Sequence, residues 1–339
     1  MTRIGVIGTG AIAQVHLDAW AQLPVELVGY YDVDQAAAER AVAKYGGQAF
    51  PTLDALLDAV DMVDICTPGT AHKGPVLAAA AAGKAIICEK PLARSLADCE
   101  EMVAACATAG VPLYPAHVVR FFPQFARIKE ALDGGALGNP GVIRTTRAGS
   151  FPRPGGSFSS AYYGDFARSG RVVLDVGIHD LDFQRWCCGE VTHVFTRGTT
   201  FTEEPRNDHA LITLRFANGA IGHVQCAWAL PSGVFRTRVE LAGDDGIAEW
   251  DSLDVPSLLV QQRSEDDTGV ETRGHSPWDA ELQPYYAELA HFVDCYENGT
   301  PPRATGHDGL MAVKLALAAI ESMRTGAPVE IATFQEVTA

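Results

Sequence analysis

Residue types able to move a proton and to stabilise negative charge lie at two points of this chain. The tripeptide Glu89-Lys90-Pro91 follows an apolar run at 85–88, which predicts a buried strand. Ligands of open α/β sheets bind at the carboxyl ends of such strands. Asp175 and His179 stand four residues apart, so on a helix they share one face. A lysine can stabilise a developing alkoxide and an imidazole can accept its proton, which indicates an enzyme.

A glycine-rich turn near the start of the chain predicts a dinucleotide site. A short buried strand at 3–7 runs into this turn, and a helix is predicted to follow as far as residue 23. The first glycine makes the tight bend, the second lets the backbone approach a pyrophosphate, and a small third residue lets the helix pack on the strand. The pyrophosphate would rest at the positive end of the helix dipole. The predicted cofactor-binding residues of this turn are Gly8, Gly10, Ala11, Ile12 and Ala13.

An acidic residue after the second predicted strand favours NAD over NADP. This strand, at 26–31, ends at Asp32, which lies 24 residues after Gly8. An acid at this position accepts hydrogen bonds from the adenosine ribose hydroxyls and repels a 2′-phosphate. Asp34 is suited to cap the next helix, and from the sequence alone the two acids can exchange roles.

Composition and charge exclude several classes of function. The chain has 339 residues, about two domains, with 26 basic against 42 acidic residues and a net charge of -16. This balance argues against nucleic acid as a partner, because phosphate binding needs clustered Lys and Arg. Membrane association is not expected, since no apolar run approaches the roughly 20 residues that span a bilayer. The first strand begins too early to leave room for a signal peptide, and we expect a cytoplasmic protein.

The eight cysteines and ten histidines show no metal-ligand spacing. There is no Cys-x-x-Cys pair and no His-Glu-x-x-His arrangement. Most cysteines sit in apolar runs, which predicts buried free thiols in a reducing compartment. We therefore expect no metal.

Strand and helix patterns alternate along the first third of the chain. Strands are predicted at 3–7, 26–31 and 62–66, and helices at 11–23, 35–45, 53–59 and 76–82. This alternation predicts an α/β fold with a doubly wound parallel sheet. Later strands, at 209–216 and 220–228, are joined by an Asn-Gly turn and predict an antiparallel hairpin. Further strands are predicted at 236–242 and 247–250.

Several motifs together resemble the Gfo/Idh/MocA family of glucose-fructose oxidoreductase and inositol dehydrogenase. They are Gly8-x-Gly10-x-x-Ala13, Thr67-Pro68 with His72, Gly83-Lys84, Glu89-Lys90-Pro91, Asp175-x-x-x-His179, and the C-terminal segments 286–292, 299–301 and 322–329. The resemblance covers nearly the whole chain. It implies that Thr67, Pro68, His72, Glu89 and Lys90 belong to the cofactor site, although Thr67-Pro68 is equally explained as a turn.

The resemblance also implies two domains. Residues 1–119 are expected to form an NAD(P)-binding Rossmann domain. Residues 120–339 are expected to form a substrate-binding and oligomerisation domain of α+β type, with a large, mainly antiparallel open sheet. The last helix can pack back on the first domain. A homodimer or homotetramer through the C-terminal sheet is implied.

The activity implied by the resemblance is reversible hydride transfer between the nicotinamide and a secondary hydroxyl of a sugar, inositol or related polyol. We expect His179 to accept the hydroxyl proton, Lys90 to hold the same oxygen, and Asp175 to orient His179 or a substrate hydroxyl. Lys90 and His179 exchange roles if burial or NAD⁺ depresses the lysine pKa far below about 10.4. For an isolated pair, Asp175 could instead cap the helix while His179 lies in the core.

Other residues are candidate substrate contacts. The segment 114–123 resembles the family's domain crossover, which implies that its histidine and arginine face the substrate, although a structural salt bridge equally explains the arginine. Residues 149–163 lack periodicity and predict a long loop, typical of a functional lid. The candidates are His117, Arg120, Arg153, Tyr162, Tyr163 and Asp182. Arg171 stands where the family often has a glycine run. From the sequence alone, its side chain can face the substrate pocket, the solvent or a neighbouring subunit.

Two other functions are compatible with the family resemblance. Some relatives use bound NAD as a recycled redox catalyst in glycoside cleavage. Others are non-catalytic cofactor-binding regulators, usually without the complete lysine and histidine set. Lys90, Asp175 and His179 are all present here, which favours the dehydrogenase.

Overall fold

The computed structural model describes residues 1–150, 169–199, 209–230, 234–253, 258–262 and 284–336. The chain forms two compact units, Met1–Phe121 with Glu281–Val313, and Phe122–Ala280 with Lys314–Ala339. The domains predicted from sequence were 1–119 and 120–339, with the last helix able to pack back on the first domain. In the structure the first unit includes Glu281–Val313, a segment that reaches into the last helix. The reason is visible at Phe292, whose ring stacks on Tyr114 of the first unit at 4.9 Å.

The first unit is built on a parallel sheet. Among the described residues it has six strands, in the order β3-β2-β1-β4-β5-β6. The strands are β1 Arg3–Ile7, β2 Glu26–Tyr31, β3 Gln48–Ala49, β4 Met62–Ile65, β5 Ala85–Glu89 and β6 Leu113–Ala116. The strand order reverses between β1 and β4, the switch point at which such sheets bind dinucleotides. The doubly wound parallel sheet predicted from the sequence is confirmed.

Helices connect the strands of this sheet, and some of them begin at a residue whose side chain caps the first turn. Thr52 and Ser95 cap two of them, each accepting a backbone N–H three residues later. The α-helices of the described residues are α1 Ala11–Trp20, α2 Gln35–Tyr45, α3 Leu53–Ala59, α4 Lys73–Ala81, α5 Leu96–Ala109, α6 Pro123–Asp133, α7 Ile178–Cys188, α8 Pro284–Asn298 and α9 Gly306–Thr325. Short 3₁₀ and π segments lie at Val118–Phe121 and Val173–Gly177. Helix α1 is shorter than the predicted helix 11–23, because residues 21–23 form a turn.

The second unit contains a large sheet that is mainly antiparallel. Within the described ranges its order is β13-β12-β11-β7-β10-β9-β8-β14, and only β7 and β10 pair in parallel. The strands are β7 Pro140–Ala148, β8 Val191–Thr199, β9 His209–Phe216, β10 Ile221–Ala227, β11 Arg236–Gly243, β12 Gly246–Asp251, β13 Leu258–Gln262 and β14 Val329–Glu330. The antiparallel open sheet is confirmed, as is the Asn218-Gly219 hairpin turn, where Gly219 has φ +92°.

Among the described residues, helices cover one face of this sheet and leave the other open. Along β9 the side chains alternate, with Ala210, Ile212 and Leu214 buried and the residues between them facing outwards. Helices α6 and α7 belong to the covered face, where the rings of Phe125 and Phe183 meet edge to face at 4.9 Å.

All eight cysteines are buried free thiols, as their positions in apolar runs predicted. In the part of the chain that the structure describes, no helix has the length and apolar character needed to cross a bilayer.

Candidate active site

The glycine turn between β1 and α1 has a backbone that only glycine adopts easily. Gly8 has φ +85°, and its N–H donates to the Tyr31 carbonyl at 2.8 Å. A Cβ at Gly8 would lie 2.8 Å from Thr67 Cγ2 and 2.9 Å from the Thr67 nitrogen. Gly8 therefore lets the end of β1 approach the residue that follows β4.

The start of α1 has the features of an anion site. Gly10 is the N-cap, no side chain of the described residues caps the helix, and the first turn contains no acidic residue. Backbone N–H groups of a first turn lack intrahelical partners, so they are available to a pyrophosphate. A Cβ added at Gly10 would meet nothing within 4 Å, which leaves open space in front of these groups. Ala13 is fully buried, as close packing of the helix requires.

The two acids after β2 have separate roles. Asp34 caps α2, since its side chain accepts the Ala36 N–H at 3.1 Å. Asp32 accepts two hydrogen bonds from Thr9, at 2.7 Å from the backbone N–H and 2.9 Å from the hydroxyl. It also accepts the Asp34 N–H at 2.9 Å. Asp32 is thus fixed beside the glycine turn, where the sequence predicted the ribose-binding carboxylate.

Lys90 directly follows the last residue of β5. Glu89 is the last residue of the strand and is buried, whereas Lys90 is half-buried. The Lys90 N–H donates to Glu89 Oε2 at 2.8 Å. Lys90 therefore lies at the carboxyl end of β5.

His72 supports this edge from inside the unit. The imidazole is buried, which lowers its pKa. Nε2 lies 2.7 Å from the Thr67 carbonyl oxygen and Nδ1 lies 3.0 Å from that of Pro91. His72 thus ties the segment after β4 to the segment after β5. Thr67 is half-buried and Pro68 is exposed, so these two residues reach the surface where His72 does not.

A buried polar cluster under the same edge was missed from the sequence. His16, in the middle of α1, has Nδ1 2.9 Å from Asp64 Oδ2 and Nε2 3.1 Å from Glu89 Oε1. Trp20 Nε1 also donates to Asp64 Oδ2, at 2.8 Å. The available signals were an aspartate inside an apolar strand and a histidine on the apolar stripe of a helix.

Two residues of this cluster, His16 and Asp64, also form a group of potential metal ligands with Cys66. Two donor atoms of one tetrahedral ion are about 3.3 Å apart when each lies about 2.0 Å from the metal. The shorter separation between His16 and Asp64 is that of a direct hydrogen bond. Burial raises the pKa of Cys66 to about 12, which favours the neutral thiol over the thiolate ligand.

In the second unit, Asp175 lies in a π-helical segment, whereas His179 lies in the first turn of the α-helix that follows it. Residues Val173–Gly177 form a π-helical segment, and α7 begins at Ile178. A π turn inserts an additional residue, which changes the i, i+4 geometry expected from the spacing. Both side chains are partly exposed, whereas Leu174 is buried. Asp175 thus lies in a π-helical segment, a type frequent at functional sites, and His179 lies just after it.

Two acids that follow His179 are buried. Asp180 Oδ2 accepts a hydrogen bond from Arg147 Nε at 2.7 Å. Burial raises the pKa of Asp180, and Arg147 opposes this shift. Asp182 is also buried, so its side chain does not share the exposure of Asp175 and His179.

The remaining candidates differ in their surroundings. Arg120 is buried, donates to the Arg303 carbonyl and lies 3.5 Å from Asp308 Oδ1, so it forms a structural salt bridge. His117 is buried beside it in the chain. Arg171 is the non-glycine residue with positive φ, +57°, among the described residues. Arg153, Tyr162 and Tyr163, and the lid predicted around them, lie outside the described residues.

The switch-point glycine turn, the uncapped helix and the carboxylate beside them define a protein of the dinucleotide-binding class with a second, sheet-based unit. Residues 2–117 match the oxidoreductase family with an NAD-binding Rossmann fold, and residues 125–249 match the GFO/IDH/MocA C-terminal domain. The chain belongs to the Gfo/Idh/MocA family, which confirms the resemblance seen in its motifs.

Relatives of similar length support this assignment. A myo-inositol 2-dehydrogenase of Thermotoga maritima is 31% identical over 336 residues, covering 95% of this chain and 96% of the relative. A D-apiose dehydrogenase of Paraburkholderia graminis is 31% identical over 346 residues, covering 97% and 90%. Among solved structures, a probable dehydrogenase from Thermotoga maritima is 29% identical with a TM-score of 0.83, covering 98% and 100%.

Proposed function

We propose that the protein catalyses reversible NAD-dependent oxidation of a secondary hydroxyl in a sugar, inositol or related polyol. The observation that carries this proposal is the first unit's glycine turn, where an uncapped helix and Asp32 stand at the same sheet edge as Lys90. The names of the relatives, an inositol dehydrogenase and an apiose dehydrogenase, support the choice of substrate class.

The geometry of the first unit supports our proposal for the cofactor-binding residues. The N–H groups at Ala11 and Ile12 would hold the pyrophosphate, with Gly8 and Gly10 giving it room. Asp32 would accept hydrogen bonds from the ribose hydroxyls and disfavour NADP. When bound, the nicotinamide supplies the hydride acceptor or donor.

The proton of the substrate hydroxyl is assigned to side chains of this chain. His179, which is partly exposed, accepts the proton in the oxidative direction, since an imidazole is the usual general base of enzymes. Lys90 Nζ donates a hydrogen bond to the same oxygen and stabilises its developing negative charge. Asp175 orients His179 or a substrate hydroxyl. Exchange of the proton-accepting role between Lys90 and His179 is resolved by comparing the pH profiles of their single variants.

The test is NADH formation from NAD⁺ with a panel of inositols, aldoses, sugar acids and simple diols. Turnover that is lost in Lys90→Ala while NADH binding persists supports the proposal. NADH binding without net NADH formation, together with cleavage of a glycoside, would instead favour the redox-recycling glycosidase. Binding without any turnover would favour a regulator.

The open face of the second unit's sheet is proposed as the subunit contact of a homodimer or homotetramer. Leu211 and Ile221 project from adjacent strands and are 55% and 45% exposed. Apolar side chains on an uncovered sheet face favour a self-complementary contact. Leu211→Glu with Ile221→Glu should reduce the sedimentation coefficient to that of a monomer. Val33→Glu, which replaces an exposed apolar residue of the first unit, is the control. A wild-type monomer would contradict the proposal.

A further inference from the structure

A row of three ionisable side chains runs through the interior of the first unit. His16 of α1 stands between Asp64 of β4 and Glu89 of β5, and all three are buried. The two ring nitrogens of His16 each face a carboxylate oxygen, at 2.9 Å and 3.1 Å. Elements separated by 48 and 73 residues in the sequence thus meet on one imidazole.

Each of these two contacts needs a proton between the ring nitrogen and the carboxylate oxygen. A neutral imidazole has one N–H and one lone pair, and a lone pair facing a carboxylate oxygen would be repelled. Burial alone would lower the pKa of His16, but its interactions with Cys66 and Asp64, which include hydrogen bonds, outweigh burial and raise the pKa well above the ordinary value. The groups facing the ring from the elements around it are Asp64, Cys66, Glu89 and the ring of Tyr285.

The row continues to the proposed active-site lysine. Glu89 Oε1 faces His16, and Glu89 Oε2 accepts the Lys90 backbone N–H at 2.8 Å. The two oxygens of one carboxylate therefore join the imidazolium to the backbone from which the Lys90 side chain departs. Rotation of the Glu89 carboxylate would break one of these two bonds.

We propose that His16 is a positioning residue, which Asp64 anchors and which orients the Glu89 carboxylate so that this carboxylate fixes the backbone of Lys90. This role rests on the function proposed above for Lys90. The positive charge of the imidazolium also offsets the negative charge of one of the two buried carboxylates. Without His16, Glu89 at this edge would lack such a compensating charge.

Two substitutions of His16 separate positioning from general support of the fold. The amide nitrogen of Asn occupies the place of Nδ1, so His16→Asn keeps the bond to Asp64 and loses the bond to Glu89. The amide nitrogen of Gln occupies the place of Nε2, so His16→Gln keeps the bond to Glu89 and loses the bond to Asp64. Both variants lose the positive charge, so a difference between them does not come from that loss.

The experiment measures kcat, KM and the NADH dissociation constant of both variants with the most active polyol of the panel. His16→Asn should have a kcat about 10- to 100-fold below that of His16→Gln, since misplacement by about 1 Å has effects of this size. NADH dissociation constants within twofold of each other are expected. Equal kcat values in the two variants would overturn the proposal.

A second readout needs no substrate. Competitive labelling with acetic anhydride, followed by peptide mass spectrometry, reports the reactivity of the half-buried Lys90 amine. Its labelling rate should change at least threefold in His16→Asn and in Glu89→Gln, which also breaks the row, and less in His16→Gln. Glu89→Gln replaces His16→Asn if the latter fails to fold. A rate equal in all variants would overturn the proposal. Unchanged turnover in Lys90→Ala would instead show that the proposed function of the lysine is wrong.

Discussion

Replacing each of the two turn glycines by alanine should separate folding from cofactor binding. At Gly8 an alanine must adopt φ +85°, and the left-handed region costs about 1–2 kcal/mol for a residue with a Cβ. Its Cβ would also lie under 3.0 Å from Thr67, and overpacking of this kind costs about 1–3 kcal/mol. Gly8→Ala should therefore lower the free energy of unfolding by about 2–5 kcal/mol.

Gly10→Ala should act on the cofactor instead. Its φ of -71° suits alanine, and the new Cβ meets nothing within 4 Å. The loss of stability should stay below about 1 kcal/mol, the scale of N-cap preferences. The methyl group would occupy the space in front of the first helical turn. An overpacking cost of about 1–3 kcal/mol there weakens NADH binding about 5- to 150-fold.

The assays are urea unfolding of the cofactor-free protein and titration of NADH fluorescence. Gly8→Ala should unfold at clearly lower urea than the wild type, whereas Gly10→Ala should unfold close to it. Wild-type NADH affinity in Gly10→Ala would refute the assignment of this turn to the pyrophosphate.

Three further predictions follow from the buried and partly buried charges. Asp32→Asn should raise the affinity for NADP relative to NAD about tenfold or more, because it removes a carboxylate that repels the 2′-phosphate. The control, Asp34→Asn, keeps the cap of α2 and should leave the ratio of the NADP and NAD dissociation constants unchanged. Arg147→Met leaves the buried Asp180 without its cation, so the free energy of unfolding in urea should fall by about 3–5 kcal/mol. The double variant with Asp180→Asn should recover much of this loss. Equal stability of the single and double variants would contradict this prediction. Folding raises the pKa of His16, so the contribution of the charged imidazole to stability is complete below about pH 6.5 and is lost as pH rises through the folded pKa. The difference in free energy of unfolding between wild type and His16→Gln should therefore shrink at alkaline pH. A pH-independent difference would count against the charged imidazole.

Local patterns in the sequence were sufficient for much of the first unit. The alternation of strands and helices, the turn at Gly8 and the departure of Lys90 from a strand end depend on neighbouring residues, so periodicity and turn chemistry predict them. The roles of Asp32 and Asp34 needed the structure, because both acids are suited to the same cap and only their hydrogen bonds separate them.

Contacts between distant residues could not be predicted in this way. The bonds from His16 to Asp64 and Glu89 join three separate elements, and no local pattern encodes their meeting. The burial of His72 between two loops depends equally on tertiary packing. The π-helical segment at Val173–Gly177 replaced a regular helix without any proline or glycine run to mark it.

The most direct test of the central claim, NAD-dependent hydride transfer aided by Lys90, is isotope transfer. Panel polyols carrying deuterium at their carbinol carbons would be incubated with NAD⁺, and the mass of the NADH formed would be measured. We expect NADH one mass unit heavier with the wild-type protein, and none with Lys90→Ala. Cofactor binding without transfer of deuterium from any polyol, or equal transfer in Lys90→Ala, would contradict the claim.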